Sequence, residues 1–208
     1  MDMSLVLWMV AAFFCGSLPF SVWLGRLALR ADIRRYGDGN PGATNVLLAG
    51  GRLTAFVALL LDYLKGALPV GIAHLGYGIG GWQLALIAMM PVLGHAFSPF
   101  LRGRGGKSVA ASFGIWSGLT LWQGPAMAGV FMLAGVLMFG FNGWAVMLAM
   151  LGLLLYLLSG PELPPDLQPI SMSVLMAVWV LNLAVFVWRH RQELSTLPRL
   201  RKQDASID

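Results

Sequence analysis

Long apolar stretches restrict the fold of this sequence more than any other feature. They are continuous rather than alternating, and the longest exceed the about 18 residues that a helix needs to cross a bilayer. Backbone groups in lipid must find partners within the protein, so a spanning segment is a helix or part of a closed barrel, and continuous runs favour helices. We therefore predict an all-α polytopic membrane protein with about seven transmembrane helices. The predicted helices cover about residues 4–28, 53–73, 82–101, 108–122, 125–140, 143–159 and 170–188.

The composition agrees with that class. Only 11% of the 208 residues are charged, about half the fraction found in soluble domains. Without an evident linker or repeat, we predict one integral membrane domain over residues 1–208, with a short polar tail from about 195. The stretches 108–122 and 125–140 are short for a full crossing, with Pro125 as the clear break between them. Six or eight spans therefore also fit the apolar pattern.

The basic residues favour seven spans. With that number, every Lys and Arg except Lys65 lies on one face of the membrane. The opposite loops, 74–82 and 159–169, carry only Glu162 and Asp166 as charged residues. Loops rich in Lys and Arg stay in the cytoplasm, so we predict a multi-pass protein of the cell inner membrane with its N-terminus outside and its C-terminus inside. The net charge of +5 is then a topology signal, and we expect no nucleic-acid partner.

Three polar segments fall on the predicted cytoplasmic face, at residues 34–51, 94–108 and 189–194. The first, "RRYGDGNPGATNVLLAGG", is both polar and rich in glycine. Glycine lets backbone N–H groups approach an anion closely, and successive N–H groups form concave anion nests. An ordinary basic loop does not need so many glycines. These segments predict phosphate binding, and the alternative is that their glycines only turn tight loops between helices.

The segment "RGGKS" gives the phosphate hypothesis its cations. Arg104 and Lys107 flank Gly105 and Gly106, so two charged donors and two close-approach backbone positions are adjacent. We predict that these four residues contact a phosphate group.

Two histidines and an acidic turn offer further chemistry. A histidine beside a bound phosphate can serve as a base or as a hydrogen-bond donor, so His95 is a candidate, with a structural hydrogen bond as its alternative. His190 opens the basic tail, where both roles remain open. Asp38 and Asn40 offer a carboxylate and an amide for hydroxyl recognition or proton abstraction. Their alternative role is to form the turn itself.

Asp62 and Lys65 lie inside the second predicted helix at a spacing of i and i+3, so they can pair on one face. Charges inside a membrane are costly and indicate function by default. A structural buried pair is an equally good interpretation. The sequence contains no cluster of zinc ligands and no His-x4-Asp motif. We expect neither a metal nor a cofactor.

Five segments together resemble the bacterial acyl-phosphate:glycerol-3-phosphate acyltransferase family. The resemblance covers nearly the whole chain and is strongest over residues 15–110. It implies seven helices, an outside N-terminus, motifs that face the cytoplasm, and acyl phosphate as the donor. The segments are "CGSLPFSVWLGRL" (15–27), "DIRRYGDGNPGATN" (32–45), "LLLDYLKGALPV" (59–70), "GHAFSPFLRGRGGKSVA" (94–110) and "RHRQEL" (189–194).

The resemblance also implies a reaction. An acyl phosphate is already activated, so the enzyme need only hold two phosphates, align the acceptor hydroxyl and stabilise the developing oxyanion. The implied partners are acyl phosphate, glycerol 3-phosphate and membrane lipids, and the product is lysophosphatidate. The implied catalytic residues are His95, Asp38 and Lys107. The implied phosphate-binding residues are Asn40, Gly42, Thr44, Asn45, Arg52, Arg104, Gly105, Gly106 and His190.

The sequence departs from the family pattern at several of these positions. The family has serine at Asp38, arginine at Leu48, lysine at Arg104 and asparagine at Glu193. Added carboxylates make a site less favourable for two phosphate groups unless they are paired or protonated. Two alternatives therefore accompany the leading hypothesis. One is a related enzyme that acylates a different acceptor, cationic or zwitterionic, and the other is a non-catalytic phosphate- or lipid-binding membrane protein.

Overall fold

A computed structural model describes residues 3–160, 170–198 and 200 of the protein. This part of the chain consists of helices joined by short loops, so the predicted all-α class is confirmed. The α-helices are Met3–Ser17 (α1), Phe20–Leu29 (α2), Ala43–Leu48 (α3), Arg52–Gly71 (α4), Gly81–Ala96 (α5), Val109–Thr120 (α6), Gln123–Phe139 (α7), Gly143–Leu158 (α8), Met172–Arg189 (α9) and Arg191–Leu194 (α10).

Within the described residues, four helical segments are long and apolar enough to cross a membrane. They are Met3–Leu29, Arg52–Gly76, Gly81–Leu101 and Met172–Arg189, where the second and third include short π- and 3₁₀-helical ends. The other three predicted stretches form the shorter apolar helices α6, α7 and α8. The number of full crossings therefore stays a prediction. The loop 159–169 lies almost wholly outside the described residues, and so does the tail beyond residue 198 except for Leu200.

The first predicted helix is not continuous, and that part of the prediction is wrong. The helix ends at Ser17 and a new one begins at Phe20, because Pro19 has no N–H to continue the hydrogen-bond ladder. Two of the carbonyl groups at the break accept hydrogen bonds from side chains elsewhere in the chain. Ser98 Oγ donates to the carbonyl of Ser17 at 2.6 Å, and Lys65 Nζ donates to that of Leu18 at 2.8 Å. Such backbone is tolerated at membrane depth only where protein covers it.

The predicted pair between Asp62 and Lys65 is confirmed. Lys65 Nζ lies 2.6 Å from Asp62 Oδ1, and both side chains are buried. Asp62 also accepts a hydrogen bond from Ser21 Oγ at 2.7 Å. The pair thus joins α4 to both sides of the break between α1 and α2, which is the structural interpretation left open by the sequence.

The helices that carry the site pack through small residues. α4 lies against α6 at two reciprocal positions. A Cβ added to Gly66 would lie 2.2 Å from the carbonyl oxygen of Ala111, and one on Gly114 would lie 2.1 Å from that of Tyr63. Backbones this close need glycine, as is common between membrane helices. The contact fixes α4 and α6 as one rigid wall.

Two local features differ from the sequence prediction. The break between α6 and α7 lies at Leu121, which has a φ of 54°, and not at Pro125. Pro125 lies in the first turn of α7, where a missing N–H costs nothing. The segment predicted as a polar loop at 34–51 contains the short helix α3, which ends four residues before α4 begins.

Candidate active site

The three polar segments meet at one cavity of about 670 Å³. The loop before α3, the loop before α6 and the α9–α10 junction supply its polar end. α4, α6, α7 and the loop before α8 supply an apolar wall. The polar side chains are Asp38, Asn40, Thr44, Asn45, Asp62, Tyr63, His95, Lys107, Ser108, Asn142, His190 and Glu193, and the large apolar ones are Leu48, Phe56, Leu59, Leu60, Phe113, Met132 and Phe141.

Most of the residues predicted from sequence line this cavity, and four do not. Residues far apart in the chain are brought together here, most clearly those of the loop before α3 and those of the α9–α10 junction. The predicted residues in the lining are Asp38, Asn40, Gly42, Thr44, Asn45, His95, Lys107 and His190. Those outside the lining are Arg52, Arg104, Gly105 and Gly106.

The turn around Asp38 is built by its own side chains. Asp38 Oδ1 accepts from the Asn40 N–H at 3.0 Å and from Asn45 Nδ2 at 3.1 Å. Asn45 is buried, and its Nδ2 also donates to the carbonyl of Asn40 at 2.8 Å. The turn-forming interpretation of Asp38 is therefore correct for one carboxylate oxygen. The other oxygen, Oδ2, lies 2.7 Å from Lys107 Nζ.

Lys107 is held between two carboxylates from opposite sides of the cavity. Its Nζ contacts Asp38 before α3 and Glu193 in α10. Partial burial disfavours the ammonium, but the hydrogen bonds to Asp38 and Glu193 outweigh it and raise the pKa of Lys107. The pKa of Asp38 is lowered: burial opposes the shift, and the hydrogen bonds from Lys107 and Asn40 outweigh it. Lys107 is thus firmly cationic and positioned at the polar end.

Glu193 is the residue whose role the sequence analysis missed. Its carboxylate accepts from Lys107 Nζ, from the backbone N–H of Gly143 at the start of α8, and faces His190 Nδ1 at 3.1 Å. Burial raises its pKa, but the hydrogen bonds from His190 and Lys107 outweigh this and lower the pKa to about 2. The motif "RHRQEL" placed Glu193 near the site, but nothing in the sequence showed its partners.

His95 lies deep in the cavity at the end of α5. It is 8% exposed, and its Nδ1 has no hydrogen-bond partner among the described residues. The Gly106 N–H donates to the His95 carbonyl at 3.0 Å, and a Cβ on Gly106 would lie 2.2 Å from His95 Nε2. Gly106 therefore packs against His95. Its N–H is not free for the anion nest predicted from the sequence.

The remaining predicted phosphate contacts lie away from the cavity. Arg52 and Arg104 are exposed. Gly105 is buried, with its carbonyl accepting from the Arg189 guanidinium, and a Cβ on it would lie 1.9 Å from the His95 carbonyl oxygen. Close backbone packing explains this glycine. The predicted contacts of the two arginines with phosphate stay predictions that the cavity lining does not support.

The charges of the lining are unusual for an anion site. Among the described residues around the cavity, Lys107 is the only lysine or arginine, and the acidic residues are Asp38, Asp62 and Glu193. Asp62 is neutralised by Lys65 behind it. The other two carboxylates share Lys107, so the Lys, Asp and Glu side chains at the polar end sum to a net negative charge.

Comparison with known proteins defines the class first. Two crystal structures of PlsY (YgiH), an integral membrane glycerol 3-phosphate acyltransferase, match the fold. Its glycerol 3-phosphate form has a TM-score of 0.78 at 28% identity, and covers 92% of this chain and 90% of that one. Its lysophosphatidic acid form also has a TM-score of 0.78, at 26% identity. The helical fold is therefore that of an integral membrane acyltransferase, and the predicted class is confirmed.

The family model for glycerol-3-phosphate acyltransferase matches residues 6–199. The glycerol-3-phosphate acyltransferase of Aromatoleum aromaticum is 38% identical over 202 residues, which covers 94% of this chain and 93% of the relative. That of Pseudomonas fluorescens is also 38% identical, over 194 residues, covering 91% and 95%. The chain belongs to the glycerol-3-phosphate acyltransferase family, as the motifs indicated.

Proposed function

We propose that the protein transfers an acyl chain from an acyl phosphate to the hydroxyl of glycerol 3-phosphate and releases lysophosphatidate and phosphate. The observation that carries this is the cavity itself. Its polar end combines Lys107, Asn45 and His95, and its wall of aromatic and aliphatic side chains continues from there along α4 and α6. A donor with a charged head and an apolar chain needs both parts in one site.

The reaction needs little beyond positioning. The acceptor hydroxyl oxygen attacks the acyl carbonyl carbon, a new C–O ester bond forms, and the bond to the phosphate oxygen breaks. The proton of the hydroxyl passes to His95 or to the phosphate that leaves. Lys107 stabilises phosphate charge, and water is kept from the acyl carbonyl by the apolar wall. No residue of the chain forms a covalent intermediate in this scheme.

The proposal includes an orientation in the inner membrane. Seven spans with an outside N-terminus put the polar end of the cavity on the cytoplasmic side, where both substrates are soluble or accessible. The loops that hold Asp38, Lys107 and Glu193 also hold the basic residues Arg35, Arg102 and Arg191, which supports this orientation. Labelling of single cysteines at Arg35 and Trp82, in a Cys15→Ala background, tests it: only the first should be protected from an impermeant reagent added outside intact cells.

The donor class is tested by a direct comparison of donors. Purified protein in detergent or bilayers is given labelled glycerol 3-phosphate with either palmitoyl phosphate or palmitoyl-CoA. We expect labelled lysophosphatidate from palmitoyl phosphate, at a rate at least about 100-fold above that with the thioester, a difference of about 2.7 kcal/mol in transition-state free energy. Equal rates with both donors, or product from the thioester alone, would contradict the proposal.

A second acceptor class is favoured by the net negative charge of the polar end. Asp38 and Glu193 are placed to receive an amine as well as to hold Lys107. An acceptor with a cationic or zwitterionic head, such as glycerophosphoethanolamine, would relieve the charge imbalance. An acceptor screen with palmitoyl phosphate as donor decides between the two acceptor classes. Under the leading proposal, kcat/KM should be higher for glycerol 3-phosphate than for glycerophosphoethanolamine.

A further inference from the structure

One carboxylate in the cavity, that of Glu193, has the kinds of hydrogen-bond partner that a bound phosphate group would have. The Glu193 side chain contacts the Lys107 ammonium, the backbone N–H of Gly143 and the His190 imidazole. A lysine, a helix N-terminal amide and a histidine are the groups that proteins use to bind phosphate oxygens. They come from three separate parts of the chain and converge on a single anion.

The contribution of Gly143 is specific to its position in α8. The side chain of Asn142 caps that helix, because its Oδ1 accepts from the N–H groups of Trp144 at 3.0 Å and Ala145 at 3.3 Å. The N–H of Gly143 is also in the first turn, but Asn142 does not accept from it. This N–H donates to Glu193 instead. α8 has 16 residues, so its positive end adds to the attraction for an anion at this point.

His190 supplies a second, independent indication of a ligand site. It is 3% exposed and lines the cavity. Its Nδ1 faces Glu193, but its Nε2 has no hydrogen-bond partner in the part of the chain that the structure describes. A buried polar atom without a partner costs stability, so a ligand in the cavity that reaches Nε2 would satisfy it.

We propose that Glu193 is an internal competitor of the substrate: its carboxylate occupies the anion-binding donors Lys107, Gly143 and His190 in the free protein, and the phosphate group of glycerol 3-phosphate displaces it. The inference rests on the proposed function for the identity of the substrate, but not for the existence of the anion site. Glu193 thereby lowers the affinity for phosphate and sets the substrate concentration at which the enzyme works.

The exchange is physically accessible. Glu193 is 29% exposed and lies in α10, which is only four residues long. Rotation of its side chain moves the carboxylate into solvent without disturbing a membrane helix. Lys107 stays in place because Asp38 still holds its Nζ at 2.7 Å. A phosphate dianion brings more charge and one more oxygen than the carboxylate, so it can engage the three donors more fully.

Binding of inorganic phosphate to the purified full chain tests the proposal without any turnover. Isothermal titration in detergent is compared between wild type, Glu193→Gln and two other carboxylate variants. We expect Glu193→Gln to bind phosphate about tenfold more tightly than wild type, which equals about 1.4 kcal/mol. Asp38→Asn removes the same charge from Lys107 but vacates no contact with Gly143 or His190, so we expect a smaller gain.

Asp32→Asn is the matched control for loss of a carboxylate near the same loops. Asp32 pairs with Arg34 and Arg26 and does not line the cavity, so its variant should bind phosphate as wild type does. Equal or weaker phosphate binding by Glu193→Gln, with an unfolding temperature near that of the control, overturns the proposal. An equal gain in Glu193→Gln and Asp38→Asn also overturns it, because net charge rather than occupancy would then be the cause.

Kinetics separates this inference from the proposed function. With palmitoyl phosphate as donor, Glu193→Gln should lower KM for glycerol 3-phosphate by about tenfold and leave kcat within about threefold of wild type. A lower kcat together with a higher KM would mean that Glu193 positions Lys107 for catalysis, and would overturn the competitor role. Absence of turnover in wild type would sink the proposed function, while the phosphate titration would still decide on the anion site.

Discussion

In the part of the chain that the structure describes, lysine pairs with carboxylate in two places, which differ in burial and in the number of carboxylates. Lys65 and Asp62 are buried inside α4, and each has a further hydrogen-bond partner next to the helix break. Lys107 lies between two carboxylates at the edge of a cavity, with 21% of its side chain exposed. In the first pair each charge has one partner of opposite sign, and only Asp62 reaches the cavity lining. The second cluster has one carboxylate in excess and a volume of about 670 Å³ beside it.

We interpret the difference as that between a charge that holds the fold and a charge that, in the proposed function, binds a ligand. A buried pair with all its hydrogen bonds made is costly to break, because removing one partner leaves an uncompensated buried charge. A half-exposed cluster contributes little to stability but keeps a cation in a fixed place. From the sequence both lysines were candidates for function. Their surroundings favour a structural role for Lys65 and support the chemical role that we propose for Lys107.

The largest expected effect on stability is that of Lys65→Met. It leaves the Asp62 carboxylate buried without its cation and the Leu18 carbonyl without its donor. We expect a loss of about 3–5 kcal/mol in unfolding free energy, seen as poor recovery and a lower unfolding temperature in detergent. The double variant Asp62→Leu/Lys65→Met should recover part of the loss. A Lys65→Met protein as stable as wild type would contradict the structural role of the Asp62–Lys65 pair.

Lys107→Ala should show the opposite pattern. We expect turnover to fall by about 100-fold or more, or about 3 kcal/mol of transition-state stabilisation, because the cation of the polar end is lost. Unfolding should change by no more than about 1 kcal/mol. Arg35→Ala is the matched control, since Arg35 is an exposed cation outside the cavity lining. The same fall in turnover for Lys107→Ala and Arg35→Ala would contradict a specific role of Lys107 in the reaction.

Gly106→Ala tests the contact between the lysine loop and His95. The new methyl group would lie 2.2 Å from His95 Nε2, so the buried ring must move, at a cost of about 1–3 kcal/mol. We expect a lower unfolding temperature and turnover reduced by about tenfold. Gly71→Ala serves as control, because a Cβ there meets no atom within 4 Å. Wild-type turnover in Gly106→Ala would show that the position of His95 does not matter to the reaction.

The smallest expected effect is a difference in acid sensitivity. The pKa of Glu193 is lowered from 4.5 to about 2 in the folded protein, so its stabilising contribution is present above the ordinary pKa and is lost as the pH falls towards 2. Between pH 5 and pH 3 the unfolding temperature of wild type should fall more steeply than that of Glu193→Gln. Asp38, whose pKa is also lowered, is present in both proteins. The same slope of unfolding temperature against pH in both proteins would mean that Glu193 does not make these hydrogen bonds in the folded protein.

The helical frame could be predicted from the sequence, because apolar length and periodicity depend on local composition. The bounds of α4 to α9 lie within three residues of the predicted stretches at most ends, and the Asp62–Lys65 pair follows from spacing alone. The break at Pro19 was not predicted, because its cost is offset by Lys65 and Ser98, which are distant in the chain. The C-terminal end of α5 was also misplaced, since Ala96 is followed by a separate 3₁₀ turn.

The sequence predicted which segments line the cavity better than it predicted the contacts that individual residues make there. Glycine and histidine motifs identified the segments that meet at the cavity. What Gly106 does could not be predicted, because its N–H is used by the carbonyl of His95, a contact that spacing does not reveal. Glu193 was noticed only as a departure from the family pattern. Its contacts with Lys107 and Gly143 join positions 86 and 50 residues apart, and one sequence carries no signal for such pairs.

A structure of the protein with glycerol 3-phosphate bound is the most direct test of the account. We predict that the phosphate group lies within hydrogen-bond distance of Lys107 Nζ and the Gly143 N–H, with Glu193 turned towards solvent and the acceptor hydroxyl towards His95. Asp62 and Lys65 should keep their contact unchanged. A phosphate bound at Arg52 or Arg104, with Glu193 still on Lys107, would contradict the account.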